Sequence, residues 1–355
     1  MGFFDILKNL FSSRSYSVKA TATMVRQKEI PPYQGDYAKT VFLNRYSKSS
    51  EVKDNSAYPQ YFLYEFGIRD CKEFHTSLVE EGLLSIAPVS EQLKSLKVDE
   101  LKIILQAIPE NASGKKDVLL SRIAAHANHP AVQARISASC YSISEKGSEF
   151  LQQNSDYLLL YKHKSWGISK SEFEHCSHGK NTFYDTVWGI LNAKLNKAFQ
   201  KGENGIVYYQ IMAELLEEEK KYSRALSVMI RVAHLHLCDI SYLQVAIMEY
   251  KEHDLSIFRN PDTRQTMEKY WRERMAFRSA IPPKLVQKIR EYKEYYSEDM
   301  CNEVCCGSHP DSFCTSLQFK QIIRSILDDT YSAPLVEFML MPQYNAYLKK
   351  NGVNL

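Results

Sequence analysis

Apolar residues recur at helical spacing along most of this 355-residue chain, and the exceptions are short. From Tyr58 the stretch "YPQYFLYEFGIRDCKEFHTSLVEEGLL" carries Phe74, Leu78 and Val79 at the spacing of one helix face, with Gly82 placed to end that helix. Two further helical patterns lie between Leu93 and Ala127. Leu93, Leu96, Val98, Leu101, Ile104 and Leu105 form the stripe of the first, Val118, Leu119 and Ile123 that of the second, and "IPENASG" separates them. A brief alternation at Tyr141 and Ile143 predicts a small β element near 140, followed by a helix with Ser144 at its N-cap. Residues 181–280 predict long amphipathic helices interrupted at "KGENG", 201–205. Pro282-Pro283 predicts a helix opening there and running towards Cys301, and further helices are predicted over Phe319–Leu327 and Leu335–Met341. The fold class is therefore mainly α and multi-domain, a small helix–linker–helix module plus a larger helical domain.

The two ends of the N-terminal region read differently. In "MGFFDILKNLF" residues Phe3, Phe4, Leu7, Leu10 and Phe11 share one stripe, which predicts a terminal helix packed on its own protein or on a second copy, so a homo-oligomer stays a candidate. Two turns carrying one lysine bind a bilayer weakly, and Ile6 stands where a myristoylation signal needs Ser or Thr. Residues 12–57, rich in Ser, Lys and Tyr, predict a loosely packed arm. The expected organisation is an N-terminal helix and basic arm at 1–57, helical support plus the module at 58–130 with its core at 93–126, a connecting region at 131–180, and a helical domain at 181–355.

Composition narrows the class. The chain is 44% hydrophobic, has no run of ~18 apolar residues and lacks the apolar region and cleavage site of a signal peptide, which predicts a soluble protein with no transmembrane segment. Eight cysteines without small-scaffold spacing fit reduced thiols, so a cytoplasmic setting is expected. Net charge is only +3, but residues 1–57 hold nine Lys/Arg against five Asp/Glu, and residues 93–126 six against four. The positive balance sits in the N-terminal half.

Within the module, "SGKKDVLLSRI" puts Lys115 and Lys116 at the start of a helix, where the aligned peptide dipoles already place about half a positive charge. Free N–H groups, that dipole, two ammonium groups and a glycine permitting close approach make an anion site. Leu101-Lys102 with Leu105, then Ser113-Gly114, Lys116, Leu119, Arg122 and Ile123, resemble the SAP family, a helix–linker–helix module of about 35 residues associated with DNA binding. With the preceding helix the arrangement looks like one found in bacterial and phage proteins. One departure is Pro109-Glu110 where the family carries Gly-Leu, so Ala112 or Ile108 must plug the small core instead. The resemblance implies DNA contact through Gly114, Lys115, Lys116 and Arg122 with Lys102 on the flank, Arg122 alternatively bracing the module. No aromatic or Asn/Gln stands beside the lysines, which favours duplex, backbone-directed and weakly specific binding, at about 10⁻⁴ to 10⁻⁶ M for one such module.

Other chemistry is thinner. Cys301, Cys305, His309 and Cys314 are ligand types that suit zinc, but the paired C-x₂-C spacing of a zinc ribbon is missing and buried thiols account for them better. No other cofactor is implied. No nucleophile elbow, Walker loop, HExxH or Rossmann glycine pattern occurs, so no enzyme is expected. Asp262, Glu268 and Lys269 lie too close together for a nuclease site, and Asp262 or Thr263 is better read as a helix cap. Residues 208–240 resemble a single tetratricopeptide-type hairpin with Ala213 and Ala225 at close-packing positions, though one unit alone reads better as a bundle core. The reading is non-catalytic, phosphate-directed DNA binding. Its alternative is an interaction adaptor whose helical C-terminal domain holds a protein partner, the module being only structural.

Overall fold

The computed structural model describes residues 29–137, 139–177, 181–238, 241–252, 260–278, 280–305 and 314–353. The chain is mainly helical and divides into two units, Met1–His163 and Lys164–Leu355. That division falls inside the segment expected to be a connector. The amphipathic stretch at 3–11 lies outside the described residues.

In the N-terminal unit the first described helix is α1, Asp36–Arg45. The sequence assigns these residues to a loose arm, yet Ala38, Thr40, Val41, Phe42 and Leu43 are all buried. Consecutive buried positions mean that α1 is enclosed on several sides, so it shows no one-sided stripe to read. Its Phe42 ring meets Phe62 at 4.7 Å and Phe74 at 5.0 Å between centroids. Phe74 lies on α2, Cys71–Glu80, which begins where the Asp70 carboxylate accepts the Glu73 N–H at 2.8 Å.

Three short antiparallel strands follow: β1, Ser50–Glu51; β2, Leu84–Ile86; and β3, Cys140–Ile143, which lies between the other two. Ser50 and Ile86 both pair with Tyr141. The expected alternation is inverted, since Cys140 and Ser142 are the buried residues while Tyr141 and Ile143 are half-buried against the aromatic core. Ser144 caps α5, Glu145–Gln153, as predicted, accepting the Gly147 N–H. Helix α6, Ser155–Lys162, completes the unit and packs with α5 on α1.

The module occupies the connection between β2 and β3. Its helices are α3, Val98–Ala107, and α4, Lys116–Ala125. Ala87 N–H donates to the Cys140 carbonyl at 2.8 Å, and the Gln92 side chain donates to the Ala87 carbonyl while accepting the Ser137 N–H. Entry and exit of the module are therefore stitched together at the sheet. Its core of Leu93, Leu101, Ile104, Leu105, Ile108, Leu119, Leu120, Ile123 and Val132 is its own, distinct from the cluster that holds Leu78 of α2, so the expected support from that helix is replaced by Val132 and the turn at Leu93. Val98 and Val118, expected inside, are 37% and 43% exposed.

In the C-terminal unit, α7, Lys170–Cys176, α8, Phe183–Gln200, α9, Ile206–Glu218, and α10, Tyr222–Cys238, run in succession. Ala213 and Ala225 are buried between α9 and α10, within a core shared with helices further along the chain. Next come α11, Ser241–Glu252, and α12, Pro261–Arg274, whose cap is Asn260 rather than Asp262 or Thr263. Helix α13, Pro283–Glu291, starts at the predicted proline but stops well before Cys301, which lies on a separate α14, Glu298–Cys305. Helix α15, Ser316–Leu327, matches its prediction, and α16 runs from Ala333 to Lys350, continuing through Pro342. No described helix is long and apolar enough to cross a membrane.

Candidate nucleic-acid interface

The direction of the module helices follows from three sets of hydrogen bonds. Lys116, in the first turn of α4, donates from Nζ to the Lys94 carbonyl at 2.6 Å, just ahead of the α3 N-cap Lys97. At the other end His126, which closes α4, has Nε2 3.0 Å from the Glu110 carboxylate, just beyond α3. The helices thus run in the same sense, and the linker between them must travel back along α4. Arg122 fixes that return path. Its Nη1 donates to the Asn111 and Ser113 carbonyls, each at 2.6 Å. Asn111 in turn accepts the Ser113 N–H at 2.8 Å and the Ser113 hydroxyl at 2.7 Å.

Ile108, only 2% exposed, is the plug that the Pro109-Glu110 departure requires, with Ala112 half-buried beside it. Gly114 then turns the chain into α4 at φ +130°, a conformation closed to side-chain-bearing residues. A Cβ there would touch the Val118 side chain at 3.4 Å.

Because the helices are parallel, both N-termini lie at one end of the module, and that end carries Lys94, Lys97, Lys115 and Lys116. Lys115 is exposed at the α4 N-cap and has no side-chain capping bond; its carbonyl accepts the Val118 and Leu119 N–H groups, while its ammonium makes no hydrogen bond or ion pair among the described residues. With no side-chain cap, the Lys116 and Asp117 N–H groups of α4 are open to an external acceptor, whereas the Val118 N–H donates to the Lys115 carbonyl. On α3 the Glu100 carboxylate accepts the Lys97 N–H at 2.7 Å. Asp99, Glu100 and Asp117 in the two first turns reduce the positive potential there, three carboxylates against the four lysines.

The expected site residues therefore separate. Gly114, Lys115 and Lys116 come together at the shared end, with Lys116 already resting on a backbone carbonyl. Arg122 takes the bracing role, its guanidinium turned to the linker. Lys102 sits on the α3 surface 3.9 Å from the Asp99 carboxylate, an exposed pair of little energetic weight. Lys94 and Lys97 entered the sequence reading only as net charge. Their position just before "VDEL" marks them as flanking a helix start, which was the available signal.

The zinc set is not assembled among the described residues. Cys301 is fully buried with its Sγ 3.5 Å from the Tyr296 hydroxyl, and Cys314 is buried in the same core. Burial pushes both thiols up, away from the thiolate that zinc needs; Cys238 and Cys305 add to the effect at Cys314. His309 lies outside the described residues, within which no group of three or more His, Cys, Asp or Glu is placed to hold a metal ion. The charges of the discarded nuclease reading are spread along α12 in surface pairs, Arg264 with Glu268 and Lys269 with Glu273. No family model matches the chain, and no curated protein or solved structure matches it.

Proposed function

We propose that the protein binds duplex DNA weakly and with little sequence preference, through phosphate contacts at the end of the module where α3 and α4 both begin. The observation that supports this most is Lys115, an unpartnered ammonium at an uncapped helix N-terminus, at the module end that also carries Lys94, Lys97 and Lys116. A phosphate seated there would accept α4 amides and relieve the crowding of like charge. The SAP resemblance agrees with this assignment. In this scheme Lys115 and Lys116 touch phosphate, Lys97 and Lys94 lie along the adjacent backbone, and Gly114 lets the chain approach closely. Arg122 is a positioning residue.

The test is a salt titration of a fluorescent random-sequence duplex with the full chain. The Kd is expected at about 10⁻⁴ to 10⁻⁶ M near physiological salt. Replacing Lys115→Glu and Lys116→Glu together should weaken binding at least ten-fold and flatten the salt slope by about two. Unchanged affinity and slope would remove this site. The competing adaptor reading has one observation behind it, the stripe of Pro334, Phe338, Met341 and Pro342 on α16, where Phe338 is 80% exposed. It gains ground if no duplex binding is measured at any salt.

A further inference from the structure

His75 stands on the inner face of α2 and is fully buried. Its ring is caged by Phe42, Tyr46 and Tyr58, with centroids 5.6, 5.2 and 6.0 Å away. Nδ1 lies 2.9 Å from the Tyr58 hydroxyl, whose oxygen already accepts the Lys53 N–H at 3.1 Å. The tyrosine proton is then free to go to Nδ1, which makes Nε2 the protonated nitrogen of a neutral ring. Nε2 is buried and has no hydrogen-bond partner among the described residues.

Such a site accepts a neutral imidazole and opposes a charged one. The ionisable groups around the ring are Tyr46 at the end of α1, Tyr58 in the segment that follows β1, and Cys71 one turn earlier on α2. Burial pushes Tyr46 up to about 12 and Cys71 up to about 11, and raises Tyr58 as well, so none supplies an anion at ordinary pH. With nothing to offset the charge, burial pushes His75 down to about 4.

Tyr58 closes a short segment laid against the start of α2. There the Asn55 side chain accepts the Lys72 N–H at 2.9 Å, and Asp54 pairs with Lys72 at 3.0 Å on the exposed surface. We propose that residues 53–58 form an acid-released clasp on α2, held by the neutral ring of His75 and let go when that ring takes a proton from solvent. A proton on Nδ1 ends its role as acceptor of the Tyr58 hydroxyl and places an uncompensated charge among aromatic rings. The hold is complete above the unfolded histidine value near 6.5 and fails progressively as pH falls towards the folded value.

Hydrogen exchange of the full chain at pH 7.5 and 5.0, corrected for intrinsic rates, tests this. Peptides spanning 50–58 and the His75 turn should lose protection by about ten-fold or more at the lower pH. His75→Phe, which keeps a ring but cannot titrate, should abolish that pH dependence. Equal protection at both pH values, or the same loss in His75→Phe, overturns the clasp. If the variant does not fold, NMR titration of the native imidazole decides. Titration below pH 5 together with the loss of protection supports the clasp, and titration near 6.5 with protection retained overturns it.

Discussion

The Glu110 carboxylate meets His126 Nε2 at 3.0 Å, tying the first residues of the linker to the end of α4. This hydrogen bond holds the Glu110 carboxyl below the usual carboxylate range. A depressed acid stabilises the fold above its unfolded pKa and loses that contribution as pH falls through the lowered value. Glu110→Gln should therefore reduce the melting temperature of the protein slightly at pH 6, with the difference from the native chain vanishing as the pH falls through that lowered value. A difference that persists in acid would show that the contact acts through shape instead.

Arg122 should matter for stability before it matters for affinity. Removing its two bonds to linker carbonyls in Arg122→Met should cost about 1–3 kcal/mol in the module, read as lost exchange protection over residues 108–115. Duplex affinity should fall only as far as the linker loosens. A variant that keeps full protection and still loses binding would make Arg122 a contact residue.

The plug can be tested by Ile108→Ala. A residue this buried in a core of nine aliphatic side chains should cost about 2–4 kcal/mol when truncated, and the loss should be confined to the module because its cluster is separate from that of α1 and α2. Urea titrations monitored by exchange would show the module opening earlier, with α1 unaffected.

Gly147 is held by packing. A Cβ there would lie 2.1 Å from the Leu83 carbonyl oxygen, backbone against backbone, so Gly147→Ala should destabilise the N-terminal unit by roughly 2 kcal/mol or more. Chemical denaturation with a tyrosine signal would register it. An unchanged midpoint would mean that α5 can slide away from β2 at no cost.

The module should be removable as a block. Its ends meet at β2 and β3, so replacing residues 89–136 by a two-residue hairpin turn should leave the rest of the unit folded and abolish duplex binding. Loss of the fold would show that the module supports the sheet it springs from.

Much of this was readable from the chain. Both module helices, the Ser144 cap and α15 followed from one-sided stripes and capping chemistry, which are local signals. Helix α1 was not readable, because burial around its circumference erases the pattern. Strands β1 and β2 span two and three residues, too short for any alternation to register. Of the candidate site, Gly114, Lys115 and Lys116 were visible, whereas Lys94 and Lys97 joined the same end only through the parallel arrangement. That arrangement depends on Arg122 and Glu110 folding the linker back, contacts between residues far apart in sequence.

Two helices joined by a tight turn ordinarily oppose each other, and their fields largely cancel at a distance. Here the linker doubles back, so the two fields add, and the module acts as a small bar with a positive pole and a negative one. Near a long polyanion such a bar feels a torque before it touches anything, and it arrives pole first. Ionic strength should consequently govern how fast encounters succeed more than how long they last.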